Sequence, residues 1–244
     1  MADAAADDVR EFFDRQQLDN QYESLKAMTR ELDVDAARIL NERATGDVLS
    51  IGGIWDFFEW PEGMTSLTVM DLSPEMLKAY CPDGATGVVG DVYEYDFDPK
   101  SFDTIVFPLM LHHTPQGSWK NSEARLERAL DRAKSWLKDD GQVVILEYCP
   151  QPAWMPLQKA AMPATSWFLK TFKQPLVAMY PTSFYDRVMK DRFGTVEIHK
   201  VDPPTFDDSK WYPIFMSIRW LKVPLKIYPK LHVITGPAPA TPPA

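Results

Sequence analysis

Cysteine is scarce: Cys81 and Cys149 are the only two in 244 residues. That number and spacing supply neither a disulfide framework nor a zinc site, so both are expected to be structural thiols. Long apolar runs are absent as well. No stretch reaches the ~18 residues that a membrane span needs, and the opening MADAAADDVREFFDR lacks the basic-then-apolar order of a secretory leader. A cytoplasmic chain with no membrane insertion is expected. Positive charge is in deficit, 26 Lys and Arg against 35 Asp and Glu, for a net charge of -9. This balance repels phosphate backbones and anionic membranes, and no basic stripe stands out to override it, which argues against a nucleic-acid partner.

What is present is a globular composition, 45% hydrophobic and 25% charged, in a length that one domain with one core accommodates. The expected domain is 1–235, with a helical cap over 1–45 and an insertion over 150–180. The proline- and alanine-rich 236–244 is expected to be a disordered tail. Residues 7 to 30 read as a helical opening. From 46 onward short β-rich runs begin: Val48 to Ile51, Leu67 to Met70, Gly87 to Val89, Phe102 to Phe107 and Val143 to Leu146. Runs so apolar, with helices between several of them, indicate parallel strands buried on both faces, hence an α/β doubly wound sheet. Helices are predicted over Ser122 to Lys138, stopped by Gly141, and over Thr182 to Phe193, with Thr182 as N-cap and Gly194 as stop. Two further strands, Thr195 to Val201 and Tyr212 to Lys222, follow without an intervening helix and imply an antiparallel hairpin closing the sheet edge.

The chemistry gathers at strand ends. Strand one ends in Leu49-Ser50-Ile51-Gly52-Gly53, where glycines permit a tight turn and close approach of a ligand. The second strand ends at Asp71 in VMDLSPEML; an acid there can accept hydrogen bonds from a ribose diol, or simply cap the next helix. The third strand ends in Gly90-Asp91 and the fourth in Phe107-Pro108-Leu109. Open parallel sheets bind ligands at these carboxyl ends.

Residues 46 to 222 resemble class I S-adenosylmethionine (SAM)-dependent methyltransferases of the small-molecule branch. LSIGG resembles the glycine-rich first motif, VMDLSPEMLKAY the ribose-binding strand, and VVGDVYEYDF the adenine-contacting loop. SFDTIVFPLMLHHTP and LKDDGQVVILEY resemble the fourth and fifth strands. The resemblance implies a seven-stranded, mostly parallel sheet of order 3-2-1-4-5-7-6, with strand seven antiparallel. It implies SAM as cofactor. Gly52 and Gly53 would lie under the methionine moiety, Asp71 on the ribose, Leu72 and Met76 beside the adenine, Asp91 and Val92 at its amino edge, and Leu109 in the pocket wall. Met76 fits a core position equally well. Two departures stand out: Ser50 replaces the expected acid and Ile54 a glycine. A serine hydroxyl can accept a hydrogen bond from the methionine ammonium but brings no charge to it.

His113, and after it His112, follow strand four, where either can take a proton from an acceptor hydroxyl near neutral pH. A histidine there can instead fix the loop through the backbone. Adjacent side chains diverge, so no metal site is expected. The apolar 150–180 segment with Trp154 and Trp167, and the N-terminal helix with Tyr22, fit a lid over a small apolar acceptor. A homodimer interface, or packing on the sheet, suits 150–180 as well. The implied activity is O- or N-methylation, less readily C-methylation, of a small apolar metabolite such as those of secondary metabolism. Two alternatives stay open: a rearrangement or cyclisation on a fold that has lost methyl transfer, which Ser50 and Ile54 motivate, and a non-catalytic partner subunit.

Overall fold

The structure, a computed structural model, describes residues 4–18, 21–52, 63–115, 118–172, 174–203, 209, 211–215, 218–224 and 226–237. Strands β1 (Gly46–Ile51), β2 (Met64–Asp71), β3 (Thr86–Val89), β4 (Phe102–Pro108) and β5 (Leu137–Cys149) pair in parallel. Alternation along each strand divides its side chains between two cores. Leu49, Ile51, Ile105, Phe107, Val143 and Ile145 face one side, and Val48, Val106, Val144 and Leu146 the other. Both faces are apolar because both are covered, as parallel crossover topology requires. Helices α4 (Trp119–Trp136) and α6 (Thr182–Phe193) close the first face, and α2 (Gln21–Arg43) with Leu77 of α3 (Pro74–Tyr80) closes the second.

The sheet is completed by β6 (Glu197–Lys200) and β9 (Lys230–Pro237), in the order β3-β2-β1-β4-β5-β9-β6, with β9 antiparallel to both neighbours. As the seventh strand of this sheet, β9 realises the predicted 3-2-1-4-5-7-6 topology. The segment that does so was misassigned. Tyr212 to Lys222 instead lies within a separate hairpin, β7 (Trp211–Phe215) with β8 (Ile218–Pro224). Only two residues separate these strands, a spacing that favours local pairing. Lys230–Pro237 brings buried Leu231 and Val233 to one core and Ile234 to the other. Gly236 and Pro237 thus belong to a strand rather than to a tail, and 238–244 lie outside the described residues.

The helical opening is two helices, α1 (Ala4–Leu18) and α2. Pro181, not Thr182, is the N-cap of α6, while Gly194, at φ 80°, ends it as expected. Gly141 does not stop α4, which ends at Trp136; it lies inside β5, where a Cβ would come within 2.8 Å of the Asp103 carbonyl oxygen. The insertion after β5 folds as α5 (Met155–Thr171), with Met162 and Leu169 buried. Both cysteines are free thiols.

Candidate active site

The carboxyl ends of β1, β2 and β4 converge on one rim. β1 turns at Gly52, whose φ of 65° suits a residue without Cβ, and an added Cβ would stand 2.5 Å from Met110 Cγ. The Gly52 N–H donates to the Met70 carbonyl at 2.8 Å, tying this turn to the end of β2. Leu109 follows β4 in the left-handed region, φ 55°, a strain of about 1–3 kcal/mol for a residue with a side chain. Its N–H donates to the Leu146 carbonyl at 2.8 Å, so the sheet enforces the turn that leads into the His112–His113 loop.

Asp71 ends β2 and accepts the Ser73 N–H at 2.8 Å. Ser73, rather than Asp71, caps α3, its hydroxyl accepting the Met76 N–H at 3.0 Å. Burial raises the Asp71 carboxyl from its ordinary 3.8 to about 6, against the opposing pull of the Ser73 N–H; the nearby charge of Asp14 raises it further. Met76 and Val92 are buried, and Leu72 is half-buried. Asp91 turns the chain after β3 by accepting the Tyr93 N–H at 2.9 Å. Ser50 is fully buried, and its Oγ has no partner among the described residues.

Helix α1 closes over this rim. The Ser73 hydroxyl donates to the Asp14 carboxylate, and the Phe13 ring meets His113 edge-on at 5.2 Å. His113 is half-buried: desolvation, and then the adjacent His112, hold its pKa well below 6.5, and its Nδ1 has no partner among the described residues. His112 is differently placed. Its Nδ1 lies 2.6 Å from Glu147 Oε2, and its backbone N–H donates to Glu147 Oε1 at 3.2 Å. The Glu147 side chain, on β5, is 1% exposed. A carboxylate facing Nδ1 favours the Nδ1–H tautomer and leaves the Nε2 lone pair as acceptor. Burial, with Glu147 next in effect, holds the Tyr185 hydroxyl well above its usual value.

The structure thus brings Ser50, Gly52, Asp71, Leu72, Met76, Asp91, Val92, Leu109, His112 and His113 to one strand-end region. Trp154 and Trp167 are exposed, at 47% and 72%. Gly53, Ile54, Trp55 to Trp60 and the Tyr22 side chain lie outside the described residues. His199 and His232 sit on β6 and β9. Among the described residues no group of three or more His, Cys, Asp or Glu could hold a metal. Among the described residues no helix is long and apolar enough to cross a membrane. Sequence reasoning missed Glu147, although a lone acid inside the apolar VVILEYC run was a signal. It also missed Asp14, Phe13 and Met110, whose roles depend on contacts between distant segments.

This geometry agrees with comparisons to known proteins. Residues 51–145 match the methyltransferase domain family. A chain of the complex of the Haloferax volcanii Trm112 methyltransferase activator superposes with a TM-score of 0.61 at 15% identity, covering 93% of this chain and 97% of the other. DhpI in complex with SAM and HEP gives 0.62 at 12% identity, covering 96% and 98%. The Burkholderia thailandensis 1,6-didemethyltoxoflavin-N1-methyltransferase, solved with 1,6-didemethyltoxoflavin and S-adenosylhomocysteine (SAH), gives 0.57 at 16%, covering 96% and 88%. No curated protein matches by sequence. The chain therefore has the class I SAM-dependent methyltransferase fold, and its residues 51–145 are similar to a methyltransferase domain. That domain implies SAM as the cofactor.

Proposed function

We propose that the chain moves the methyl group of SAM to an oxygen or nitrogen of a small, largely apolar acceptor, with His112 as general base and Glu147 as its positioning residue. The observation that carries this reading is the 2.6 Å contact between His112 Nδ1 and a buried carboxylate at the strand-end rim. Glu147 holds the ring and stabilises the imidazolium that forms when Nε2 takes the acceptor proton. This reverses the order of the two histidines expected from sequence, because His112 Nδ1 faces a carboxylate whereas His113 Nδ1 has no partner among the described residues and His113 resists protonation.

SAM, when bound, supplies an electrophilic methyl on a sulfonium. The residues present fit it. The chain turns at Gly52 against Met110, the Ser50 Oγ is an unused acceptor for an ammonium, and the Asp71 carboxylate suits a ribose diol. Leu72, Met76, Asp91 and Val92 would border the adenine, Leu109 would line the pocket, and Gly53 would continue the turn. The chain contributes alignment and exclusion of water, the second through α1 and its Phe12 and Phe13. Trp154 and Trp167 are exposed, so a lid role for 150–180 requires it to close inward over the acceptor.

Incubation with methyl-labelled SAM and a fractionated small-molecule extract tests this. The expected result is SAH released in step with one labelled product. Conversion of an acceptor without SAH release would overturn the reading in favour of a rearrangement, which the uncharged Ser50 would suit.

A further inference from the structure

The net charge of -9 averages over a segregated distribution. Residues 150–185 and 209–244 hold eight of the 26 Lys and Arg and none of the 35 Asp and Glu. The same stretches hold four of the eight tryptophans. Topology brings the start of the first stretch and the residues that lead into β9 to one end of the sheet, from which β9 itself runs away. β5 ends at Cys149, which pairs with Lys230 at the start of β9, and the Tyr148 and Tyr228 rings meet edge-on at 5.7 Å. The α5 insertion and the β7–β8 hairpin therefore leave adjacent strands at the end of the sheet that carries the His112 loop. The insertion also returns beside that loop, where the Ala178 N–H donates to the His112 carbonyl at 3.0 Å.

Exposed apolar side chains stand on α5, at Trp211 of β7 and at Ile227 after β8. On α5, Met162 and Leu169 are buried, and helical periodicity puts Leu157, Ala160, Ala164 and Trp167 on the opposite side, all exposed. Trp211 and Ile227 are more than half exposed, and Lys170, Lys222 and Lys226 are exposed too.

We infer that this rim docks on an anionic lipid bilayer, and that an amphiphilic acceptor reaches the site from there. The acceptor half of this statement rests on the methyl-transfer reading; the docking does not. Tryptophan and aliphatic side chains flanked by lysines are what an interface-adsorbed element presents. The acid-rich remainder of the chain is repelled by the same surface, which orients the molecule with this rim down. A symmetric dimer through the rim would bring two sets of these lysines into one interface. A nucleic acid would leave Leu157 and Ile227 without apolar partners.

Flotation of the cofactor-free full chain with vesicles tests the inference, using phosphatidylcholine alone and phosphatidylcholine mixed with phosphatidylglycerol. Binding is expected to the mixed vesicles, far less to the neutral ones, and to be lost at high salt. Lys170→Glu with Lys226→Glu should weaken it by about 25-fold or more, at roughly fivefold per lysine. Leu157→Ser with Trp211→Ser should weaken it about tenfold or more. SAH titration, expected to be unchanged in both variants, reports that they fold. Absence of flotation with either vesicle, binding that ignores salt and lipid charge, or binding unchanged in both variants would overturn the docking. So would self-association or oligonucleotide retention that these variants abolish while vesicles are not bound. Flotation of a wild-type chain that fails to bind SAH would leave the docking intact and sink the methyl-transfer reading instead.

Discussion

Replacing His112 with alanine lowers kcat by about 10²–10⁴-fold, the contribution of a positioned general base, and leaves SAH affinity unchanged. Glu147→Gln lowers kcat as well, because an amide facing Nδ1 can donate to it and turn the ring to the Nε2–H tautomer, which accepts no proton. Both effects belong in kcat, since neither residue is assigned a contact with the cofactor; a rise confined to the KM for SAM would contradict that placement. His113→Ala tests the choice between neighbours. His113 is half-buried, held neutral, and packed against Phe13, so its loss should loosen α1 and spare most of the turnover. Initial rates with SAH detection separate these cases. If His113→Ala abolishes turnover while His112→Ala is near wild type, the assignment of the base is wrong.

Asp71→Asn should weaken SAM and SAH binding by about 1.5–3 kcal/mol, the range for hydrogen bonds to a charged group, and at the same time stabilise the cofactor-free fold. The second effect follows from the carboxyl pKa, about 6 in the folded chain against an ordinary 3.8. The folded state holds this proton more tightly than the unfolded state. The resulting stability is fully present below 3.8 and is lost as pH rises through about 6. Above that value the buried anion costs on the order of 3 kcal/mol, which an amide does not incur. Cofactor affinity runs the other way: the anion is the better acceptor for ribose hydroxyls, so SAH binding should fall as pH drops through about 6. Urea midpoints and calorimetric titrations on either side of that pH read both trends. A variant that binds SAH like the wild type would remove Asp71 from the ribose site.

The parallel sheet was legible because its strands are short, apolar on both faces and punctuated by Gly52, Asp71, Asp91 and Leu109 at their ends. The last sheet strand was not. The 212–222 run is as strand-like as 230–237, and only register with β5 and packing against both cores select the second. Local composition also misled at Gly141, read as a helix stop although its missing side chain serves contact with the Asp103 carbonyl. At the site, each residue carried by a local motif could be read, and each defined by a distant partner could not. Glu147 matters through His112, 35 positions away, and Asp14 through Ser73, 59 away. Net charge was the least informative quantity, because it averaged lysine-bearing stretches that hold no acid of their own with an acid-rich remainder.

Hydrogen exchange on the wild-type chain with and without SAH tests the central claim most directly, since it reads binding and its location together. Slower exchange is predicted at the carboxyl ends of β1 and β2, in the turn after β3 around Asp91 and Val92, and across α1, with the β7–β8 hairpin unaffected. SAH binding that protects none of these strand ends, or no binding at all, would contradict it.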